Sequence, residues 1–280
     1  MSAAFDAFFL AADAGRPGER LCIHHPARGN EVRAAVLYVP PFAEEMNKSR
    51  RMAALQSRAF AEAGYEVLQI DLLGCGDSSG ETLDATWDDW VADVAQGARW
   101  LGARTEAPLW LWGVRAGALL ACAAAARLER QVHCLFWQAF ASGKLLVQQF
   151  LRLKAAESMA VGSAKAAMAE LKQQLAAGQP VEIAGYELSA ALLQGFERAE
   201  LTPPPQPGAL AWLEVSPREE TALLPASGAT LEAWRQAGFE VHAEAVRGPQ
   251  FWQTTEIEDA PALVAASLSS LGRQHVPVAH

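Results

Sequence analysis

Gly113-Val114-Arg115-Ala116-Gly117 has the spacing of the Gly-x-Ser-x-Gly nucleophile elbow, with arginine where the serine stands. Arginine stays protonated and cannot accept an acyl group, so this position cannot start acyl transfer. It can hold an anion, because a guanidinium donates through a planar fork that matches carboxylate or phosphate. The small residues around it still allow a sharp strand-to-helix turn with the two backbones almost touching.

Two further segments carry candidate chemistry. Asp71-Leu-Leu-Gly74-Cys75-Gly76-Asp77-Ser78-Ser79-Gly80 is a glycine-rich loop with three candidate nucleophiles, Cys75, Ser78 and Ser79. Pro40-Pro41-Phe42-Ala43-Glu44-Glu45 places two carboxylates at the start of a helical run. Of the histidines, His24 and His25 fall on an early edge strand, His133 on a core strand and His242 in the last strand, with His275 and His280 in the terminal residues. None of these is an obvious general base. Cys22, Cys75, Cys122 and Cys134 are far apart and form no Cys-x-x-Cys pair, so neither a metal site nor a disulfide framework is expected, and no cofactor.

These residues need a scaffold, and the apolar pattern supplies one. Strands are expected over 5–10, 21–25, 34–39, 67–71, 109–114, 132–137, 209–215 and 239–246. From residue 34 onward they are nearly continuous apolar runs, as strands covered on both faces must be. Amphipathic helices lie between them. One follows Thr86, where Thr86 and Asp89 have capping-box spacing, and the last begins at Pro261. The alternation predicts a doubly wound, mostly parallel α/β sheet. It breaks over 143–206, which reads as helix after helix without a strand and closes on Thr202-Pro203-Pro204-Pro205. We expect a core of 1–142 and 207–272, a helical cap or lid over 143–206 and a loose tail over 273–280.

The chain has 280 residues, is 51% hydrophobic and 20% charged, and carries a net charge of −9. A globular protein follows, and the negative charge argues against nucleic acid or an anionic membrane as the main partner. No signal peptide and no apolar run of roughly 20 residues is seen, so a cytoplasmic location without a membrane span is expected.

The element order and the three motifs together resemble the α/β-hydrolase fold over about 34–271. Within it, Tyr38-Val-Pro-Pro-Phe-Ala-Glu-Glu-Met-Asn-Lys-Ser-Arg-Arg51, Trp112-Gly-Val-Arg-Ala-Gly-Ala-Leu-Leu120 and Gly248-Pro-Gln-Phe-Trp-Gln253 are similar to the exosortase A system-associated hydrolase 2 group. That resemblance implies a bacterial exopolysaccharide or protein-sorting setting. It puts Arg115 at the nucleophile position, Gln250 at the histidine position of a loop (247–253) that holds no histidine, and the acid at Glu219 or Glu220. It also implies that the backbone N–H groups of Phe42 and Ala116 face a site.

At an elbow, Arg115 meets a strained backbone and the positive end of a helix, and both invite a partner. The choices are a carboxylate (Glu44, Glu45, Glu219 or Glu220) or an anionic ligand bound by Arg115, Phe42 and Ala116. Trp137 and Trp252 lie at strand ends, where ligands bind in open α/β sheets. The expected function is therefore non-hydrolytic binding of a small anionic or acyl-bearing ligand, or of a pathway protein. The alternative is an ester or thioester hydrolase, or an acyltransferase, with a displaced nucleophile. The sequence is silent on oligomeric state.

Overall fold

A strand without a polar face must be covered on both sides. Ala-Ala-Val-Leu-Tyr-Val (β3, Ala34–Val39) and Leu-Trp-Leu-Trp-Gly-Val (β5, Leu109–Val114) are buried at every residue. The computed structural model, which describes residues 5–157, 164–183 and 185–273, places them side by side at the middle of an eight-stranded sheet. With β1 (Asp6–Ala11), β2 (Glu19–His25), β4 (Tyr65–Ile70), β6 (Val132–Trp137), β9 (Ala209–Ser216) and β10 (Glu240–Arg247), the order is β1-β2-β4-β3-β5-β6-β9-β10. β2 runs antiparallel to both of its neighbours, β1 and β4; the pairs from β4 to β10 are parallel.

Alternation along the central strands sorts side chains into two cores. Leu37 and Leu111 join one with Trp90, Leu119 and Trp234, from helices α2 (Trp87–Gly102), α3 (Gly117–Ala125) and α7 (Ser227–Gln236). Val36 and Trp110 join the other with Met52, Phe60 and Leu263, from α1 (Glu44–Glu62) and α8 (Pro261–Arg273). Helices thus cover both faces, as the doubly wound reading requires. Thr86 caps α2: the Asp89 N–H donates to Thr86 Oγ1 at 3.2 Å and the Thr86 N–H donates to Asp89 Oδ2 at 3.0 Å. After β3 the chain moves to one side (β4) and then crosses back to the other (β5). The carboxyl ends of β3 and β5 therefore flank the switch point where such sheets bind ligands.

Between β6 and β9 lie α4 (Gly143–Glu157), α5 (Ala164–Ala176) and α6 (Ala190–Arg198). The strandless reading of this stretch is corrected by a small antiparallel hairpin, β7 (Val181–Ile183) with β8 (Tyr186–Leu188). Gly178 and Gly185, at φ of 73° and 80°, allow the turns that end α5 and join the strands. His24 and His25 are also relocated: β2 is an inner strand, because β1 takes the edge. The expected tail lies outside the described residues from 274 onward, with His275 and His280. Among the described residues no helix is long and apolar enough to cross a membrane.

Candidate functional site

Three residues other than glycine hold positive φ among the described residues: Ala43 (50°), Arg115 (55°) and Gln138 (48°). They sit just past the carboxyl ends of β3, β5 and β6, three adjacent strands. Each conformation costs on the order of 1–3 kcal/mol and persists only where its surroundings dictate it. At Arg115 the determinants are close packing and extended pairing. A Cβ on Gly113 would lie 2.5 Å from Ala118 Cα, and one on Gly117 would lie 2.3 Å from the Val39 carbonyl oxygen. The Arg115 N–H donates to the Trp137 carbonyl at 2.9 Å, and the Gln138 N–H to the Leu213 carbonyl at 2.8 Å. The Gln138 side chain continues the link, its Oε1 accepting from the Val215 N–H at 2.8 Å.

The sharp turn aims the Arg115 side chain across the strand ends at Glu45, in the first turn of α1. Its Nη2 donates to Glu45 Oε1 at 3.0 Å, and its Nε stands 3.3 Å from both carboxylate oxygens. Nη1 reaches the Gln138 carbonyl at 3.4 Å. The guanidinium carbon lies 4.2 Å from the Phe140 ring centre and 5.2 Å from that of Trp252, which adds cation–π contact. Both charges are out of water, Arg115 at 8% and Glu45 at 3% exposure. Burial pushes the Glu45 carboxyl above its ordinary range, against the pull of Arg115. The N-terminus of α1 also favours an acid there.

The glycine-rich loop is fixed from below by one carboxylate. Asp93 of α2, fully buried, accepts from Arg20 Nε and from the Leu73 N–H, both at 2.8 Å, and from Arg16 Nη2. Ser78 Oγ donates to the Asp71 carbonyl at 2.7 Å and accepts the Leu21 N–H at 2.9 Å, while Ser79 Oγ accepts the Glu19 N–H at 2.9 Å. Both hydroxyls are thus engaged in holding the loop to β2. Burial, with Asp71 adding to it, pushes the Cys75 thiol up to about 12. At neutral pH it is a thiol rather than the nucleophilic thiolate. Iodoacetamide at pH 7.5 is expected to modify Cys75 only after denaturant is added; rapid modification of the native protein, mapped by mass spectrometry, would refute that.

Two cavities open around these elements. One of about 550 Å³ lies between Phe42, Met46 and Asn47, the glycine-rich loop with Cys75, and the hairpin residue Tyr186. Phe196 of α6 roofs this region, 4.9 Å from the Phe42 and Trp87 ring centres, and Asn47 Nδ2 donates to the Tyr186 hydroxyl at 2.7 Å. The second, about 460 Å³, is bordered by Gln138, Glu214, Leu224 and Gln250. Arg115 lines neither.

Residues 30–188, more than half of the chain, match the Hydrolase_4 family, described as serine aminopeptidase, S33. The chain belongs to this family. No curated protein sequence matches it significantly. Among solved structures it is similar to Est1E from Butyrivibrio proteoclasticus with ferulic acid bound (13% identity, 96% of this chain and 99% of that one, TM-score 0.67). It is also similar to XC6422 from Xanthomonas campestris, an α/β serine hydrolase without a lid (17% identity, 100% and 99% coverage, TM-score 0.56). A third is the mouse α/β-hydrolase domain-containing protein 10 (14% identity, 96% and 98% coverage, TM-score 0.59). The architecture is the α/β-hydrolase fold.

On this hydrolase scaffold the residues singled out from sequence separate into groups. Arg115, Glu45 and Trp252 come together, with Ala116 buried beside them at the start of α3 and Phe42 lining the larger cavity. Glu44 turns to the surface and pairs with Lys48 at 3.5 Å. Glu219 stands 87% exposed, 4.0 Å from Arg247, and Glu220 is exposed, because the loop after β9 runs outward. Gln250 hydrogen-bonds to Gln253. Trp137 donates its indole N–H to Ser267 of α8 at 2.9 Å and packs on Trp112, so its ring belongs to the core on the α8 side.

Three contributors escape the sequence reading. Gln138 and Phe140 complete the surroundings of Arg115. Glu214, at the end of β9, is buried and accepts from Trp212 Nε1 at 2.8 Å, the Leu224 N–H at 2.6 Å and Ser227 Oγ. Its signal was present: one acid within Ala-Leu-Ala-Trp-Leu-Glu-Val. A charge in a buried strand must find such partners.

Proposed function

We propose that this α/β-hydrolase-fold protein has exchanged serine-dependent acyl transfer for binding, and that it holds a small molecule beneath its cap (143–206). The observation that carries this reading is the buried Arg115–Glu45 pair, which fills the elbow with two mutually satisfied charges. The histidine loop (247–253) offers Gln250, whose amide cannot relay protons, and Glu219 faces solvent with no imidazole to orient. Glu45, the Gln138 carbonyl and two aromatic rings already surround the guanidinium, so it presents no open face to an anionic ligand. The cavity beside Phe42 and Tyr186 is the better berth, with its volume of about 550 Å³ within the range of small-molecule pockets. We take the biological setting from the sequence resemblance: an exopolysaccharide or protein-sorting locus, with the ligand or a pathway protein as partner.

The second reading, an enzyme with a displaced nucleophile, rests on Cys75 lining that cavity and on the family's serine-enzyme description. Activated short-chain acyl esters and thioesters separate the two. Binding without chemistry predicts release no faster than with heat-unfolded protein. Turnover abolished in Cys75→Ala or Ser78→Ala would establish the enzyme instead.

A further inference from the structure

The charges around the larger cavity say what it selects. Its interior wall is apolar and aromatic (Phe42, Met46, Trp90, Leu188), whereas Glu81, Asp84 and Glu187 stand at exposed positions around it. None of these three carboxylates is in an ion pair among the described residues, and no lysine, arginine or histidine lines the cavity. The nearby cation, Arg50, is committed: its Nη2 lies 3.1 Å from Asp71 Oδ2, and its Nε points to Asn47 Oδ1 at 3.4 Å. Asn47 in turn donates to the Tyr186 hydroxyl, so the polar groups on that wall satisfy one another. What is left for a ligand is an apolar wall that includes aromatic rings, and carboxylates that stand outside any ion pair among the described residues. Aromatic faces attract cations as well as apolar groups.

We infer that this cavity takes a cationic amphiphile: an apolar body carrying a primary ammonium or guanidinium group, the body against Phe42 and Trp90 and the cation near Glu187, Glu81 and Asp84. The inference rests on the cap cavity being the binding site and adds the sign of the ligand's charge. It reverses the anionic preference that Arg115 suggested from sequence, because Glu45 neutralises that cation inside the protein, while the acids at the cavity meet no cation among the described residues and Asp84 accepts only the Glu81 N–H, at 2.9 Å.

Hexylammonium, hexanol and hexanoate share one body and differ in charge, and calorimetric titration of the intact chain ranks them. Hexylammonium is expected to bind about tenfold tighter than hexanoate at low salt, with the gap closing at 1 M salt as the Debye length falls to about 3 Å. Neutralising the exposed position, Glu187→Gln, is expected to narrow the gap severalfold without changing the melting temperature. Met46→Trp, which fills the cavity, is expected to abolish binding of all three, with circular dichroism confirming that it folds. Equal or tighter binding of hexanoate or hexanol, lost in Met46→Trp, would overturn the charge assignment and leave the cavity as the binding site. Binding unaffected by Met46→Trp, or no binding of any of the three, would overturn both.

Discussion

Glu45→Ala is expected to cost about 3–5 kcal/mol of folding stability, the usual penalty for stranding one member of a buried ion pair. Arg115 would keep its charge, its positive φ and its place at a helix N-terminus, and lose the carboxylate that offsets all three. Urea unfolding should show a lower midpoint at unchanged slope. Replacing the two together, Glu45→Gln with Arg115→Met, is expected to recover most of the loss, since buried pairs are often matched by apolar packing. Arg115→Met alone leaves Glu45 buried without its cation, which raises its carboxyl further. An acid whose folded pKa stands above its unfolded value binds more protons when folded. Stability is then greatest at low pH and declines as pH rises from the ordinary carboxylate range towards the folded value. Arg115→Met should therefore be more stable at pH 5 than at pH 8, by a wider margin than the unsubstituted protein, and the double variant should lose that margin. A loss under 1 kcal/mol for Glu45→Ala would mean that the pair is not held as described.

Asp93→Ala is expected to have an effect of similar size, about 3–5 kcal/mol, by a different route. Arg20 is fully buried and donates from Nε to the Asp93 carboxylate, as does the Leu73 N–H at the head of the glycine-rich loop. Without the carboxylate, β2, α2 and the loop lose their common anchor. Asp93→Asn keeps an acceptor but removes the charge, and should fall between the two. Hydrogen exchange over residues 72–80 should rise in Asp93→Ala beyond the rise in global opening, because the loop loses a local bond as well. Equal protection of that loop in variant and parent would show that other contacts hold it.

The sheet was legible because burial on both faces forces continuous apolar runs, and the runs that became β3, β5 and β6 sit where they were expected. The hairpin Val181–Ile183 with Tyr186–Leu188 was not, since three residues per strand are too few to show a period. Arg115 announced a need for a carboxylate, and sequence narrowed the choice to four. Choosing Glu45 over Glu44 required the phase of α1, because neighbouring helical residues point in directions about 100° apart. Gln138 and Phe140 were invisible as partners of Arg115 because they reach it through pairing of β5 with β6, a long-range relation. Trp137 shows the opposite error. Its position at a strand end suggested a ligand, but strand alternation turns its ring towards α8 and Ser267. Glu219 follows its loop out to solvent, while Glu214, near the end of the strand that leads into that loop, is the buried acid.

Whether acyl chemistry has left the elbow is tested most directly with a serine-reactive fluorophosphonate probe on the intact protein. The Arg115–Glu45 pair, with Ser78 and Ser79 engaged in loop hydrogen bonds, predicts labelling of the native protein no greater than that of the heat-unfolded chain. Saturable labelling of the native protein alone, mapped by mass spectrometry to one serine, would contradict it.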